Sequence, residues 1–155
     1  MSSTRGRVLI DTNVLAYRYD RGCPEKAAQA GRALRVLLES GRGVISTQVV
    51  CELYQVLVGR MSDRVPRGAA LEAVALHADV WPMLGVTPGI AKEAVVSAAR
   101  DGLSIWDAQL LATAREHGVA TVLTEDLDER RDYGGVRALN PFVLEFAVAV
   151  LGYGS

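Results

Sequence analysis

The chain predicts a parallel α/β sheet flanked by helices, and two observations carry that prediction. Short apolar runs alternate with longer stretches whose apolar residues recur at helical spacing, the pattern of strands joined by crossover helices. Two of those runs are followed at once by acidic turns, Val8-Leu9-Ile10-Asp11 and Val122-Leu123-Thr124-Glu125-Asp126. In open α/β sheets ligands bind outside the carboxyl ends of the strands.

The chain has 155 residues, half of them hydrophobic. That is enough for one sizeable core and too little for two, so a single domain over 1–155 is expected, with about five strands. The first strand is 7–10, and Val14-Leu15-Ala16-Tyr17 continues as a helix. Ala27, Ala30, Leu34, Leu37 and Leu38 mark a second helix, which Ser40-Gly41-Arg42-Gly43 ends because glycine is a natural helix stop. A strand over 43–46 leads into a helix over 47–58, with Val49, Val50, Leu53, Val56 and Leu57 on its apolar side. Polar residues 60–67, including Pro66, form a turn before an Ala-rich helix over 68–77. A weaker strand falls at 80–84, and Pro82 and Pro88 punctuate an irregular connection. Helices over 90–100 and 105–117 are split by Asp101-Gly102, strands follow at 120–123 and 136–139, and Asn140-Pro141 opens a last helix over 142–151. That helix is apolar almost all round, which calls for burial in the core or against a second subunit.

Composition narrows the function classes. Residues 1–7 lead into only three apolar residues, short of the core of a signal peptide, and no apolar run approaches the ~20 residues of a membrane span. A cytoplasmic protein without a membrane partner is expected. Cys23 and Cys51 stand in no metal-type spacing, and Cys51 reads as helix core. His77 and His117 read as structural or surface residues. The net charge of −1 argues at first against a nucleic-acid partner. Setting aside four acidic residues for cation binding leaves the basic residues in slight excess. Those are almost all Arg, with only Lys26 and Lys92 as lysines; guanidinium suits phosphate contacts, and genomic base composition gives the same bias.

The four are Asp11, Glu52, Asp107 and Asp126, each with a plain structural alternative. Asp11, Thr12 and Asn13 all start helices well, so Asp11 is also an N-cap. Glu52 borders an apolar helix face, yet a helical Glu is commonly just solvated. Ser104-Ile105-Trp106-Asp107 has the spacing of a capping box, and Asp126 is a common turn residue. Gathered together, four carboxylates without His or Cys suit a hard, oxygen-seeking cation such as Mg²⁺.

Five strings together resemble the PIN-domain family, in its order and spacing and over nearly the whole chain. They are Asp11-Thr12-Asn13-Val14-Leu15, the segment 45–53 from Ile45 to Leu53, Trp106-Asp107-Ala108-Gln109-Leu110, Leu123-Thr124-Glu125-Asp126-Leu127 and Asn140-Pro141-Phe142. VapC-type toxins of toxin–antitoxin pairs are the members they resemble most. The resemblance implies a compact α/β/α fold, an acidic pocket for Mg²⁺ or Mn²⁺, and endoribonuclease activity. Asp11, Glu52, Asp107 and Asp126 match the family's acidic positions, Thr124 a hydroxyl position near the metal, and Asn13 a position that orders the pocket. It further implies an antitoxin partner and a homodimer. One departure is the charged run Leu127-Asp128-Glu129-Arg130-Arg131-Asp132-Tyr133, which bears on substrate choice; Asp128 is a candidate outer-sphere participant.

Phosphodiester hydrolysis needs an activated water and stabilised phosphoryl charge, both of which a divalent ion supplies. Without a metal the carboxylates repel one another, so the metal-free protein is expected to be the less stable form. Arg18, Arg21, Arg130 and Arg131, near Asp11 and Asp126 in sequence, are candidate contacts for an RNA backbone, and Trp106 is expected in the core. An alternative is a PIN-like module that binds RNA or protein without catalysis. A phosphoryl receiver or dehalogenase-like phosphatase fits poorly, because Asn13 stands where the phosphatase motif wants an Asp and no late Lys is present.

Overall fold

The computed structural model describes residues 6–61 and 63–143. Five strands form one parallel sheet: β1 (Val8–Ile10), β2 (Gly43–Ser46), β3 (Met83–Leu84), β4 (Thr121–Leu123) and β5 (Arg137–Leu139), in the order β3-β2-β1-β4-β5. Six helices are present among the described residues: α1 (Thr12–Tyr17), α2 (Pro24–Ser40), α3 (Thr47–Gly59), α4 (Arg67–Val80), α5 (Pro88–Asp101) and α6 (Ile105–Glu116). From β1 the chain steps outward to β2 and β3, then crosses back to β4 on the other side of β1. Parallel crossovers are right-handed as a rule, which for this strand order places helices on both faces of the sheet, and the reversal of strand order falls between β1 and β4.

β1 is central, and Val8, Leu9 and Ile10 are all buried, as a strand covered on both faces must be. Each fully buried Leu or Ile of this core contributes about 1.5–3 kcal/mol. On α3 the buried positions are Val49, Leu53 and Leu57, one side of the helix, packed toward the sheet. A smaller cluster, Ile90, Ala94, Ala108 and Ala112, joins α5 to α6, where the alanines let the two helices approach closely. Gly43 has a packing reason: a Cβ there would run into the buried Trp81 ring.

The predicted elements are present with shifted ends. The weak strand at 80–84 shrinks to Met83–Leu84 because α4 continues through Val80. Pro88 opens α5 rather than interrupting a loop: it occupies the first turn, and Thr87 Oγ1 accepts from Ile90 N at 3.2 Å. Gly41, with φ +66°, ends α2 as expected. Asn140 Oδ1 accepts from Phe142 N at 2.9 Å, and 141–143 form a turn and bend. The rest of the helix expected over 142–151 lies outside the described residues.

Two core expectations are corrected. Cys51 is exposed, because it lies off the Val49-Leu53-Leu57 side of α3. Trp106 is 59 % exposed, because in the first turn of α6 it points away from the face that buries Ala108, Leu111 and Ala112.

Candidate metal centre

Asp11 follows the end of β1 and caps α1, which is its structural alternative from the sequence. Its Oδ1 accepts from Thr12 N at 2.7 Å. Its Oδ2 accepts from Thr124 Oγ1 at 2.8 Å and Asn13 Nδ2 at 3.2 Å. Thr124 comes from the end of the neighbouring β4 and is fully buried. Its hydroxyl also accepts from Asp126 N at 3.1 Å and from Asn13 Nδ2 at 3.2 Å. Asn13 Nδ2 further donates to Asp126 Oδ2 at 2.9 Å. One amide and one hydroxyl thereby tie together the carboxylates at the ends of two adjacent strands.

Asp107 arrives from the other side, in the first turn of α6. The helix start is fixed by Ser104, whose Oγ accepts from Asp107 N at 3.1 Å. Carboxylate oxygens of Asp11, Asp107 and Asp126 all lie within 4.8 Å of one another. Glu52 on α3 borders the same cleft of about 660 Å³ but stands outside this triad. It accepts from Thr12 Oγ1 at 3.1 Å and from the Gln48 amide.

The electrostatics follow from this crowding. Burial pushes the Asp11 carboxyl up to about 7 from an ordinary value of 3.8. Hydrogen bonds from Thr124 and Thr12 oppose the shift, and the charges of Asp126 and Glu52 add to it. Burial likewise raises Asp107, opposed by Ser104 and reinforced by Asp126 and Glu52. Among the described residues no Lys or Arg forms an ion pair with any of the four. Among the described residues Arg60 is the one basic side chain lining the cleft. The donor set fits a divalent cation: three converging carboxylates, no soft ligand, and uncompensated negative charge. Asn13 Oδ1 is a further buried oxygen without a hydrogen-bond partner.

The other candidates from the sequence lie elsewhere. Asp128 pairs with Arg130 at 3.1 Å, and that guanidinium holds its carboxyl below the usual range. Arg131 lies over the Tyr133 ring, 5.0 Å from its centroid. Arg18 packs across Gly31 and reaches Ala27 O at 3.4 Å, and Arg21 is exposed. None of these five lines the acidic cleft.

Two residues without an assigned role in the sequence do hold the site. Thr12 and Gln48 both fix Glu52, and Gln48 was detectable, since it precedes Glu52 by four residues on one helix. Lys26 gave no such signal. It reaches Glu125 at 2.6 Å and Tyr17 OH at 3.2 Å, while Tyr17 OH donates to Glu125 at 2.7 Å. This links α1 and α2 to the residue beside Asp126.

Known proteins resemble this chain in sequence and in fold. The PIN domain model matches residues 8–133. Ribonuclease VapC24 of Mycobacterium tuberculosis is 30 % identical over 151 residues, covering 85 % of this chain and 94 % of that relative. Among solved structures, DNA-bound VapBC from Salmonella typhimurium superposes with a TM-score of 0.63 at 19 % identity, over 88 % of this chain and 98 % of that one. VapC20 of M. tuberculosis, described as a toxin that cleaves the sarcin-ricin loop, gives 0.59 at 22 % identity, over 74 % and 86 %. At these identities the two structures bear on the fold alone.

Proposed function

The chain belongs to the PIN-domain family, and from that premise we propose that it is a divalent-metal-dependent endoribonuclease, the VapC-type toxin of a VapBC pair. The observation that carries this reading is the convergence of three carboxylates from β1, α6 and the turn after β4, with no ion-pairing cation among the described residues. Similarity to a ribonuclease over most of both chains supports the substrate class.

Asp11, Asp107 and Asp126 would hold Mg²⁺ or Mn²⁺, with Glu52 at the rim of the same cleft. When bound, such an ion polarises a phosphoryl oxygen and acidifies water. The chain's own residues prepare the site. Thr124 and Thr12 N fix the Asp11 carboxylate from two directions, and Asn13 sets the distance between Asp11 and Asp126. Thr12 and Gln48 orient Glu52. Near neutral pH Asp11 holds a proton part of the time on its carboxylate, and a cation competes with that proton.

An antitoxin that covers the acidic cleft is the partner expected on this reading. Support comes from a relative whose solved structure is a VapBC complex. Pairing with a second copy of the chain is part of the same proposal. No helix among the described residues is long and apolar enough to cross a membrane; action on RNA in the cytoplasm is part of the same proposal.

The test is cleavage of labelled total RNA or tRNA by wild type and Asp11→Asn, with Mg²⁺ and then with EDTA. Cutting that needs the metal and is lost in the variant supports the proposal. Cutting that survives both changes overturns it.

A further inference from the structure

We propose that the groove between α3 and α6, next to the acidic cleft, is a nucleobase subsite in which one base of single-stranded RNA stacks on Trp106. This rests on the ribonuclease reading and extends it to how the substrate strand is held. The groove is walled by the side of α3 that carries Gln48, Glu52 and Gln55, at spacings of four and three residues, turned away from the buried Val49-Leu53-Leu57 side. Trp106 and Gln109 of α6 form the opposite wall, and the space between is about 510 Å³. Gln48, Glu52, Val56, Arg60 and Trp106 line both this groove and the acidic cleft, so the two form one continuous trough.

Within that trough Trp106 is anomalous. An indole is among the largest apolar groups a protein can bury, yet this one is 59 % exposed and immediately precedes Asp107. Its backbone is anchored at the start of α6. Gln48 Nε2 donates to the Trp106 carbonyl at 3.1 Å, and Gln48 Oε1 accepts from Gln109 Nε2 at 2.6 Å, so α3 and α6 are joined beside this residue.

The groove's chemistry favours a nucleotide. Every base has a π-face that stacks on an exposed aromatic, and unpaired RNA presents such faces. Gln55, whose amide has no hydrogen bond among the described residues, can meet a base edge. The Arg60 guanidinium is likewise without a hydrogen bond or ion pair among them, and it suits a flanking phosphate. Among the described residues Glu52 is the only carboxylate lining the groove, so a polyanion meets little repulsion from them once clear of the acidic cluster. A strand with its scissile phosphate over Asp11, Asp107 and Asp126 would carry a neighbouring nucleotide onto Trp106.

The experiment uses the whole protein as wild type, Trp106→Ala and Trp106→Phe. Binding of a fluorescein-labelled single-stranded oligoribonucleotide, itself a cleavage substrate, is followed by anisotropy with Ca²⁺ in place of Mg²⁺, and then repeated with an abasic nucleotide at each position in turn. Because Trp106 is largely exposed, its removal leaves the core intact, and a thermal melt checks this. The expected result is roughly 5- to 150-fold weaker binding for Trp106→Ala and near-recovery for Trp106→Phe. One abasic position should weaken wild type as much as Trp106→Ala does and weaken Trp106→Ala no further. In cleavage with Mg²⁺ the loss should fall on KM, with kcat little changed.

If wild type cuts and binds RNA but the abasic profiles of wild type and Trp106→Ala coincide, the subsite is overturned and the nuclease reading stands. If Trp106→Ala leaves RNA binding unchanged and instead weakens capture by the antitoxin, the groove is a protein-docking surface and the proposal fails. If wild type neither binds nor cuts any RNA with Mg²⁺ or Mn²⁺, the nuclease reading falls and the subsite with it.

Discussion

Two clefts in this molecule each gather several charged side chains, and they resolve the crowding in opposite ways. Beside α5 and α6, Arg115 pairs with Glu93 at 2.9 Å and donates to the Tyr133 carbonyl at 3.0 Å. Arg100 grips Asp101 with two hydrogen bonds, at 2.9 and 2.8 Å, and Arg131 lies over Tyr133. There the Asp101 carboxyl is held below its usual range by Arg100. At the carboxyl ends of β1 and β4, Asp11 and Asp107 are pushed the other way, by burial and by one another's acidic neighbours. Charge that is neutralised in place builds structure. Charge left uncompensated against a cost in stability is the electrostatic character that a cation-binding site requires.

The largest expected effect contrasts one carboxylate from each cleft. Asp11→Asn should lower metal-dependent RNA cleavage by more than the roughly 10–100-fold typical of losing a residue that only supports a metal ligand. Asp101→Asn should leave initial rates on the same labelled RNA unchanged; equal losses in both would erase the distinction between the clefts.

Next come the residues that hold the carboxylates. Thr124→Val removes the hydroxyl that donates to Asp11 and accepts from Asp126 N, while keeping the side chain's shape. About 10–100-fold weaker metal affinity or activity is expected, read as the Mg²⁺ concentration giving half-maximal rate. A variant with wild-type Mg²⁺ dependence would mean that Thr124 serves only the fold.

A third effect is in pH. The folded Asp11 carboxyl has its value raised from 3.8 to about 7, so the folded state binds this proton more tightly than the unfolded chain. The associated stability is present below the unfolded value and is lost as pH rises through about 7. A divalent cation should offset that loss, and protons should compete with the cation at low pH. The rise in Tm given by millimolar Mg²⁺ should therefore grow between about pH 5.5 and pH 8. A rise of the same size at both ends of that range would count against Asp11 as a ligand.

The smallest effect belongs to the paired cleft. Glu93→Gln weakens an exposed ion pair with Arg115 and should cost at most about 1 kcal/mol in urea unfolding. A loss several times larger would show that this cleft depends on its charge pairing far more than a surface site does.

How much of this was legible in the sequence depends on which residue is asked about. The strand run before Asp11 and the one before Asp126 were plain, because buried parallel strands are short and apolar and these end on acidic turns. Pro88 was misread since proline both breaks helices and opens them, and only Thr87 as a cap separates the cases. Asp107 could not be placed by local pattern alone. Its spacing from Ser104 is that of a helix cap, and the structure uses it as one while also bringing its carboxylate to Asp11. The order of the five strings located it where periodicity did not. Trp106 and Cys51 failed for a common reason: residue type favours burial, but the side of the helix decides it, and both lie on sides that no other element covers among the described residues. The Lys26, Tyr17 and Glu125 link spans 99 residues between charge partners and has no periodic signature at all.

The strand order has a temporal consequence. Asp11 is made early, Glu52 and Asp107 later, and Asp126 follows β4, which pairs directly with β1. A ribosome assembling this protein is itself built of RNA. On the proposed reading the growing chain is unarmed during most of its synthesis, because the cluster closes only when β4 docks beside a strand more than a hundred residues older. The delay is set by topology alone, and it would give a separately made inhibitor time to be waiting when the last carboxylate falls into place.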